Sequence, residues 1–335
     1  MVSMKDIAKH CGVSVATVSK ALNGQADIGE ATRTRILDVA RELGYTKNAA
    51  ARALKTNRTY NIGIVFTDLA NSGFTHEYFA STLTSFRLEA EMRGYDITFI
   101  SSNVGGNNTS YLQHALYRGV DGVAVINADF FDPGVQELIL SDLPVVTLDH
   151  AFNNRTAILS DNIHGVESLV KFAYEKGHRR IAYIHGNPTA VTENRMTGFY
   201  RALDELGLDI PSEYILECEY HEPTSCYKAT KKLLALKDRP TCILFSDDYA
   251  YIGGISAIYE AGLRIPEDIS AAGYDGIHMA NMMNPKLTTW QQNTPELGQL
   301  LVTKLIERIE HPRTALPEHI TVTDRLLEGE TFKQL

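Results

Sequence analysis

Ser3-Met4-Lys5-Asp6-Ile7-Ala8-Lys9-His10-Cys11-Gly12-Val13-Ser14-Val15-Ala16-Thr17-Val18-Ser19-Lys20-Ala21-Leu22-Asn23-Gly24 reads as two short helices and the turn between them. Ser3 and Asp6 have the spacing of a capping box, Ile7, Ala8 and Cys11 share one helical face, and Gly12 supplies the backbone freedom that ends a helix. Ser14 can cap a second helix in which Val18 and Leu22, at i and i+4, face inward, with Asn23-Gly24 as its stop. Three or four residues separate the two, the spacing of a helix-turn-helix, whose second helix can set its N-terminal side chains against base edges in the DNA major groove. Its outward positions are Val15, Ala16, Thr17 and Lys20, with Ser14, Ser19 and Asn23 beside them. A third helix, about Glu30 to Leu43, carries Ile36, Val39, Ala40 and Leu43 as an apolar stripe and stops at Gly44, so three helices make a minimal core.

The net charge of -9 over 335 residues argues against a polyanionic partner, but the average hides an asymmetry. Residues 1 to 60 hold ten Lys and Arg against five Asp and Glu, a net of +5, and the remaining residues hold 22 against 36, a net of -14. A small basic head on a large acidic body is a pointer to a nucleic-acid-binding module. No apolar run approaches the ~18 residues of a membrane helix, and the N-terminus lacks the apolar stretch of a signal peptide, so a cytoplasmic soluble protein with no membrane partner is expected. The cysteines, Cys11, Cys218, Cys226 and Cys242, have no C-x-x-C spacing and read as buried free thiols.

After Tyr45 comes Asn48-Ala49-Ala50-Ala51-Arg52-Ala53-Leu54-Lys55, helix-prone but shorter than the ~12 to 15 residues that an isolated helix needs in water. On spacing alone an ordinary interdomain linker is the simpler reading. The other is a segment that folds on DNA, sets Leu54 as a wedge between base steps in the minor groove, and uses Arg52, Lys55 and Arg58 on phosphates.

From Asn61 onward short β-branched runs alternate with amphipathic stretches: Ile62 to Phe66, Ile97 to Ile100, Val123 to Ile126, Val145 to Leu148, Ile181 to Ile184, Cys242 to Phe245 and Ile269 to Tyr274. That is a βαβ rhythm with parallel strands, in two similar α/β halves. Ligands of open α/β sheets bind beyond the carboxyl ends of the strands. There stand Asp68 and Asn71, Asn127 and Asp129, Asp149, Asn187, Asp247 and Asp248, and Asp275, with Arg195 as a charged donor. Amides and carboxylates suit the hydroxyls of a neutral sugar better than a phosphate, since no glycine-rich phosphate loop follows any strand. Each acid alone reads also as a helix N-cap, Asp248 most clearly. His150, His164, His178 and His185 show no metal-ligand spacing; no metal and no cofactor is expected.

The head, M-K-D-I-A-K-H-C-G-V-S-V-A-T-V-S-K-A-L-N-G with T-R-T-R-I-L-D-V-A-R-E-L-G-Y and N-A-A-A-R-A-L-K, resembles that of the LacI/GalR (lactose-repressor) family of bacterial transcription regulators. In the body, N-R-M-T-G-F, F-S-D-D-Y-A-Y-I-G-G, G-L-R-I-P-E-D-I-S-A-A-G-Y-D and P-K-L-T-T-W resemble the family's effector-domain signatures, so the likeness covers nearly the whole chain. It implies a helix-turn-helix head (1–46), a hinge helix (47–57) and a periplasmic-binding-protein-like body (58–335) with an N-lobe of about 58–160 and 292–318 and a C-lobe of about 161–291 and 319–335. It implies that Ser14, Val15, Ala16, Thr17, Ser19, Lys20 and Asn23 read half of a palindromic operator, that Asn48, Ala51, Leu54 and Lys55 sit in the minor groove, and that the working form is a homodimer or a tetramer. Arg195 matches the family's effector-contacting arginine and Asp275 the aspartate of G-[FY]-D, while Asp149 and Gln292 fall on further contact positions. Three departures stand out. Gly29 replaces the usual Ser or Thr cap of the third helix, Asp247 replaces an asparagine, and N-S-G-F-T-H-E-Y-F is longer than the usual N-P-F-F. Phe74 and Phe79 there are candidates to stack on a sugar, with core packing the simpler role for Phe79. Trp290, the only tryptophan, fits either hinge-side packing or a cleft wall.

The function expected is an effector-controlled repressor of a carbohydrate operon. A solute-binding protein of an uptake system shares the body but leaves the head unexplained. A sugar hydrolase would need a nucleophile and base pair, a metal motif or a phosphate loop, and none is legible.

Overall fold

The computed structural model describes residues 2–25, 27–46, 53, 56–67 and 73–335. The chain divides into two compact units, Met1–Thr59 and Tyr60–Leu335.

The first unit contains α1 (Met4–Cys11), α2 (Val15–Leu22) and α3 (Glu30–Glu42). The backbone N–H and hydroxyl of Ser3 both donate to the Asp6 carboxylate, at 2.8 and 2.7 Å, and Gly12 closes α1 in the left-handed conformation at φ 62°. Ser14 caps α2 by accepting from the Thr17 N–H at 3.0 Å. Gly29 starts α3 with no side-chain cap. Ile7, Ala8, Cys11, Val18, Ala21, Ile36 and Ala40 bury against one another, which is the core the apolar spacing predicts.

The second unit opens with β1 (Asn61–Phe66), α4 (Glu77–Met92), β2 (Asp96–Ile100), a hairpin of β3 (Asn103–Val104) and β4 (Asn107–Asn108), and α5 (Tyr111–Arg118). It continues through β5 (Gly122–Asn127), α6 (Pro133–Leu140), β6 (Val145–Leu148), β7 (Thr156–Ser160), α7 (Asn162–Glu175), β8 (Ile181–His185) and α8 (Ala190–Leu206). Next come β9 (Ile215–Glu217), α9 (Pro223–Leu234), β10 (Cys242–Phe245), α10 (Asp248–Glu260), β11 (Ser270–Asp275) and β12 (Thr288–Gln291). The chain closes with α11 (Thr294–Glu310), β13 (His319–Val322) and β14 (Leu326–Leu327).

The strands form two six-stranded sheets, ordered β13-β7-β6-β5-β1-β2 and β14-β12-β11-β10-β8-β9, parallel throughout except for β14 against β12. Parallel strands are covered on both faces and so read as continuous apolar runs rather than alternating ones; every residue of β6, β10 and β11 is buried. On the first sheet, α4 and α11 cover one face with Phe86, Leu301 and Leu305, and α5 and α6 the other with Ala115, Val135 and Leu138. On the second, α7 and α8 cover one face with Leu169 and Phe199, and α9 and α10 the other with Leu233 and Ile258. Gly198 lets α8 touch α7, since a Cβ there would lie 2.2 Å from the Ile163 carbonyl.

The chain crosses between the sheets three times, after β7, after β12 and after β13. The last crossing corrects the expected lobe boundary. His319–Val322 pairs in parallel with β7, so it belongs to the first sheet, and the second lobe regains the chain only beyond it. A four-residue edge strand carries too little pattern to declare its sheet. The sequence reading also leaves α9 unassigned, although its buried stripe, Cys226, Ala229, Thr230 and Leu233, recurs at helical spacing among Lys and Thr.

Candidate functional site

The carboxyl ends of the two sheets face one cleft of about 820 Å³, lined from the first lobe by Tyr78, Phe79, Asn127, Phe130, Asp149 and His150, and from the second by Asn187, Arg195, Tyr220, His221 and Asp275. Gln292, on the second crossing, lines it too.

Arg195, on α8, is the most constrained side chain in the cleft. Its Nε donates to Asn162 Oδ1 at 2.8 Å, its Nη1 to the Ser246 carbonyl at 2.7 Å, and its Nη2 lies 3.8 Å from Asp275 Oδ1. The guanidinium lies 3.6 Å from the centre of the Tyr274 ring and 5.7 Å from that of Tyr220, at cation–π range. Burial opposes its charge, but the neighbouring Tyr220, Tyr274 and Asp275 more than compensate and hold it protonated.

Asp275 ends β11 and accepts from Gln292 Nε2 at 2.6 Å. Burial pushes its carboxyl up to about 6 even with Arg195 beside it. Asp149, the counterpart at the end of β6, accepts from the backbone N–H and hydroxyl of Ser160 and from the Tyr78 hydroxyl, and burial raises it as well. Asp149, His221 and Asp275 all have positive φ, at 53°, 59° and 106°. Such backbone costs on the order of 1–3 kcal/mol per residue and concentrates where a site needs it.

One side of the cleft is closed. The His76 and His221 rings, from opposite lobes, stand 3.7 Å apart, the Tyr249 hydroxyl donates to the Thr75 carbonyl at 3.3 Å, and the His278 N–H donates to Glu77. His76 is 1% exposed, and burial lowers its pKa to about 3, so it is neutral. Burial also works against the charge on His221, but the Asp247 carboxylate, with Oδ2 3.7 Å from Nδ1, outweighs it and raises its pKa.

Residues 3–48 match the model of bacterial regulatory proteins of the lacI family, and residues 170–332 that of a periplasmic binding protein-like domain. Over 341 aligned residues, covering all of both chains, the sequence is 33% identical to the HTH-type transcriptional repressor PurR of Mannheimia succiniciproducens. The chain belongs to the LacI family. As a LacI-family protein it is a DNA-binding transcriptional repressor, and its relatives are regulators, not enzymes. The fold is that of the lac repressor dimer bound to operator and the anti-inducer ONPF, with a TM-score of 0.80 at 22% identity over 99% of each chain. A LacI family transcriptional regulator from Enterococcus faecium with bound ribose aligns at a TM-score of 0.70 and 25% identity, over 82% of this chain and 99% of the other.

In this LacI-family repressor, Asn127, Asp149, Asn187, Arg195, Asp275 and Gln292 are brought together as the sequence reading expects. Three expected contacts lie elsewhere. Phe74 stacks on Phe66 with ring centres 5.4 Å apart and leans on Phe99, at the outer edge of the first sheet. Trp290 is 4% exposed in the core under α7, the packing alternative. Asp247 is fully buried and its acceptors are occupied: it caps α10 by accepting from the Ala250 N–H at 2.7 Å, and it accepts from the Ser246 hydroxyl and the His221 N–H. The His221 side chain beside it, with the N–H groups of Ala250 and His221, holds its carboxyl low despite burial. Asp248 is therefore not the cap; it accepts from the Ile277 N–H at 3.0 Å and the Thr289 hydroxyl at 2.7 Å, tying α10 to the end of β11. Asp68 and Asn71, and Asn48, Ala51, Leu54 and Lys55 of the hinge segment, lie outside the described residues.

Sequence reasoning missed His76, Tyr78, Tyr220 and His221. His76 and Tyr78 stand inside the lengthened N-S-G-F-T-H-E-Y-F segment, which was the available signal; Tyr220 and His221 precede the unexpected α9 and had none. On α2, Val15, Ala16, Lys20 and Asn23 are exposed, Thr17 and Ser19 are half-buried, and the Ser14 hydroxyl is engaged at the cap. No helix among the described residues is long and apolar enough to cross a membrane.

Proposed function

We propose that this repressor binds a palindromic operator as a homodimer and is controlled by a polyhydroxylated effector, a sugar or sugar derivative, held between its lobes. The observation that carries the effector reading is the facing of Asp149 and Asp275 across one cleft, with Arg195 between the lobes' polar rims and the Phe130–His150 stack, 4.4 Å between ring centres, on its wall. Carboxylates accept from hydroxyls, the guanidinium donates to them, and aromatic faces cover the apolar side of a sugar ring. The ribose bound to the Enterococcus faecium relative, and the operator-bound dimer of the lac repressor, support the same reading.

In the head, Val15, Ala16, Thr17 and Lys20 of α2 read base edges, Ser14, Ser19 and Asn23 flank them, and Asn48, Ala51, Leu54 and Lys55 engage the minor groove. The regulated genes are those for uptake or breakdown of the effector. Closure of the lobes on the effector alters how the N-lobes pair in the dimer, and with it the hinge segments around Leu54. A coupling of ~1 to 3 kcal/mol there moves operator affinity ~5- to 150-fold. The test is a thermal-shift panel of monosaccharides, disaccharides and nucleobases, followed by operator gel shifts with each ligand that binds. Stabilisation by a sugar that also changes operator affinity supports the reading; stabilisation by nucleobases alone replaces it.

A further inference from the structure

We propose that His76, His221 and Asp275 form a site for a divalent transition metal that ties the two lobes together. Their ligand atoms, one from each residue, all lie within 4.8 Å of one another. His76 comes from the turn before α4 in the first lobe, His221 from the loop between β9 and α9, and Asp275 from the end of β11, both in the second.

The independent observation is the state of the histidines. His76 is 1% exposed and neither of its ring nitrogens has a hydrogen-bond partner among the described residues, while His221 turns Nδ1 toward Asp247 and leaves Nε2 for a ligand. A neutral imidazole carries one N–H donor and one lone pair, and buried polar atoms of this kind are paired in the great majority of proteins. Here the His76 ring is pressed against that of His221, 3.7 Å between centres. A borderline cation takes the lone pair of His76 and that of His221 Nε2 at once. Two imidazoles and one carboxylate are the donor set that zinc, cobalt, nickel and iron(II) take, with open positions left over for water or a ligand hydroxyl.

The surroundings fit. Gln292 and Arg195 both engage Asp275 through Oδ1, so Oδ2 is the oxygen available to a metal. His221 Nδ1 lies 3.7 Å from Asp247 Oδ2, which is the carboxylate–histidine arrangement that orients a metal-binding imidazole through its other nitrogen. Ligands at ~2.0 to 2.2 Å around a tetrahedral metal stand ~3.4 Å apart, so a bound metal holds His76 to His221 and fixes the contact between the lobes. Metal binding is thereby coupled to closure. This holds whatever organic ligand the cleft takes, because the metal alone is the probe.

The full-length protein, stripped with EDTA and dialysed, is titrated with Co²⁺ while its visible ligand-field bands are followed, and Zn²⁺ is then used to displace the cobalt. The expected result is one saturable site per chain, a rise in melting temperature with Zn²⁺, and a loss of affinity of about 100-fold or more in both H76Q and H221Q. D247N loses ~10- to 100-fold by releasing the orientation of His221, and H10Q, on the exposed face of α1, binds like the wild type. The melting temperature of each metal-free variant, compared with metal-free wild type, shows that it is folded. Absence of a saturable wild-type site, or unchanged binding in either H76Q or H221Q, overturns the proposal.

Discussion

Replacing Arg195 with alanine removes the group that holds the cleft together. The guanidinium donates two charge-assisted hydrogen bonds, to Asn162 and to the Ser246 carbonyl, and neutralises a fully buried neighbour, Asp275. Such a hydrogen bond is worth ~1.5–3 kcal/mol net, and breaking a buried ion pair by deleting one partner costs ~3–5 kcal/mol because the other charge is stranded. The terms do not add, since Asp275 has an escape. Its pKa is already about 6 with Arg195 in place, and without the cation it rises further and the carboxyl takes up a proton at neutral pH. That holds the loss near the lower bound, about 3 kcal/mol at pH 7.5, and makes it pH-dependent: at pH 5 wild-type Asp275 is mostly protonated, so less of the ion pair is there to lose. Urea unfolding of wild type, R195A and R195A/D275N at both pH values tests this. R195A should lose less at pH 5 than at pH 7.5, the double variant should recover much of the loss at pH 7.5, and R195A should show no effector-induced change in operator affinity. A loss below about 1 kcal/mol at pH 7.5, or the same loss at both pH values, would refute the account of the buried pair.

The pH dependence of Asp275 extends to the intact protein. Its folded pKa of about 6 lies above the ordinary 3.8, so between those values the folded state holds a proton that the unfolded state has released, and stability falls as pH rises through that window. D275N removes this dependence, so its stability relative to wild type should climb by about 3 kcal/mol between pH 3.8 and 6 and stay level above; a flat difference shows that the carboxyl is not raised. Gly198→Ala should cost ~1–3 kcal/mol in urea unfolding despite alanine's better helix propensity, because the methyl meets the Ile163 carbonyl at 2.2 Å, and a gain in stability contradicts the close packing of α7 on α8. Operator affinity should fall steeply with salt as phosphate contacts release counterions; an affinity unmoved between ~50 and ~200 mM salt removes the basic-head argument. Leu54→Ala should weaken operator binding by about ten-fold or more, ~1.4 kcal/mol, with the body's melting temperature unchanged, and equal affinity disposes of the wedge.

What the sequence by itself determined was everything whose cause lies within a few residues or one repeating period. The capping pair Ser3 and Asp6, the terminator Gly12, the Ser14 cap and the stripe Ile7, Ala8, Cys11 and Val18 are local interactions, so the head was legible in its own order. Apolar runs such as Val123 to Ile126 announced parallel strands, because a strand buried on both faces has no polar alternate. The rule that ligands lie beyond strand carboxyl ends then picked out Asn127, Asp149, Asn187 and Asp275, with Arg195 as a charged donor, and the family resemblance added Gln292.

Tertiary structure decided the rest, where meaning comes from neighbours distant in the chain. Asp247 and Asp248 are adjacent and chemically alike, yet one caps α10 and holds His221 while the other ties down β11, according to which backbone N–H groups the packing brings within reach. Trp290 went to a core and β13 to the first sheet for the same reason: a single side chain or a four-residue strand takes its role from the surface already waiting for it. His76 and His221 are 145 positions apart, and no spacing rule pairs them. They meet because the lobes close on one another, and that closure is the property on which both the effector response and the metal site depend.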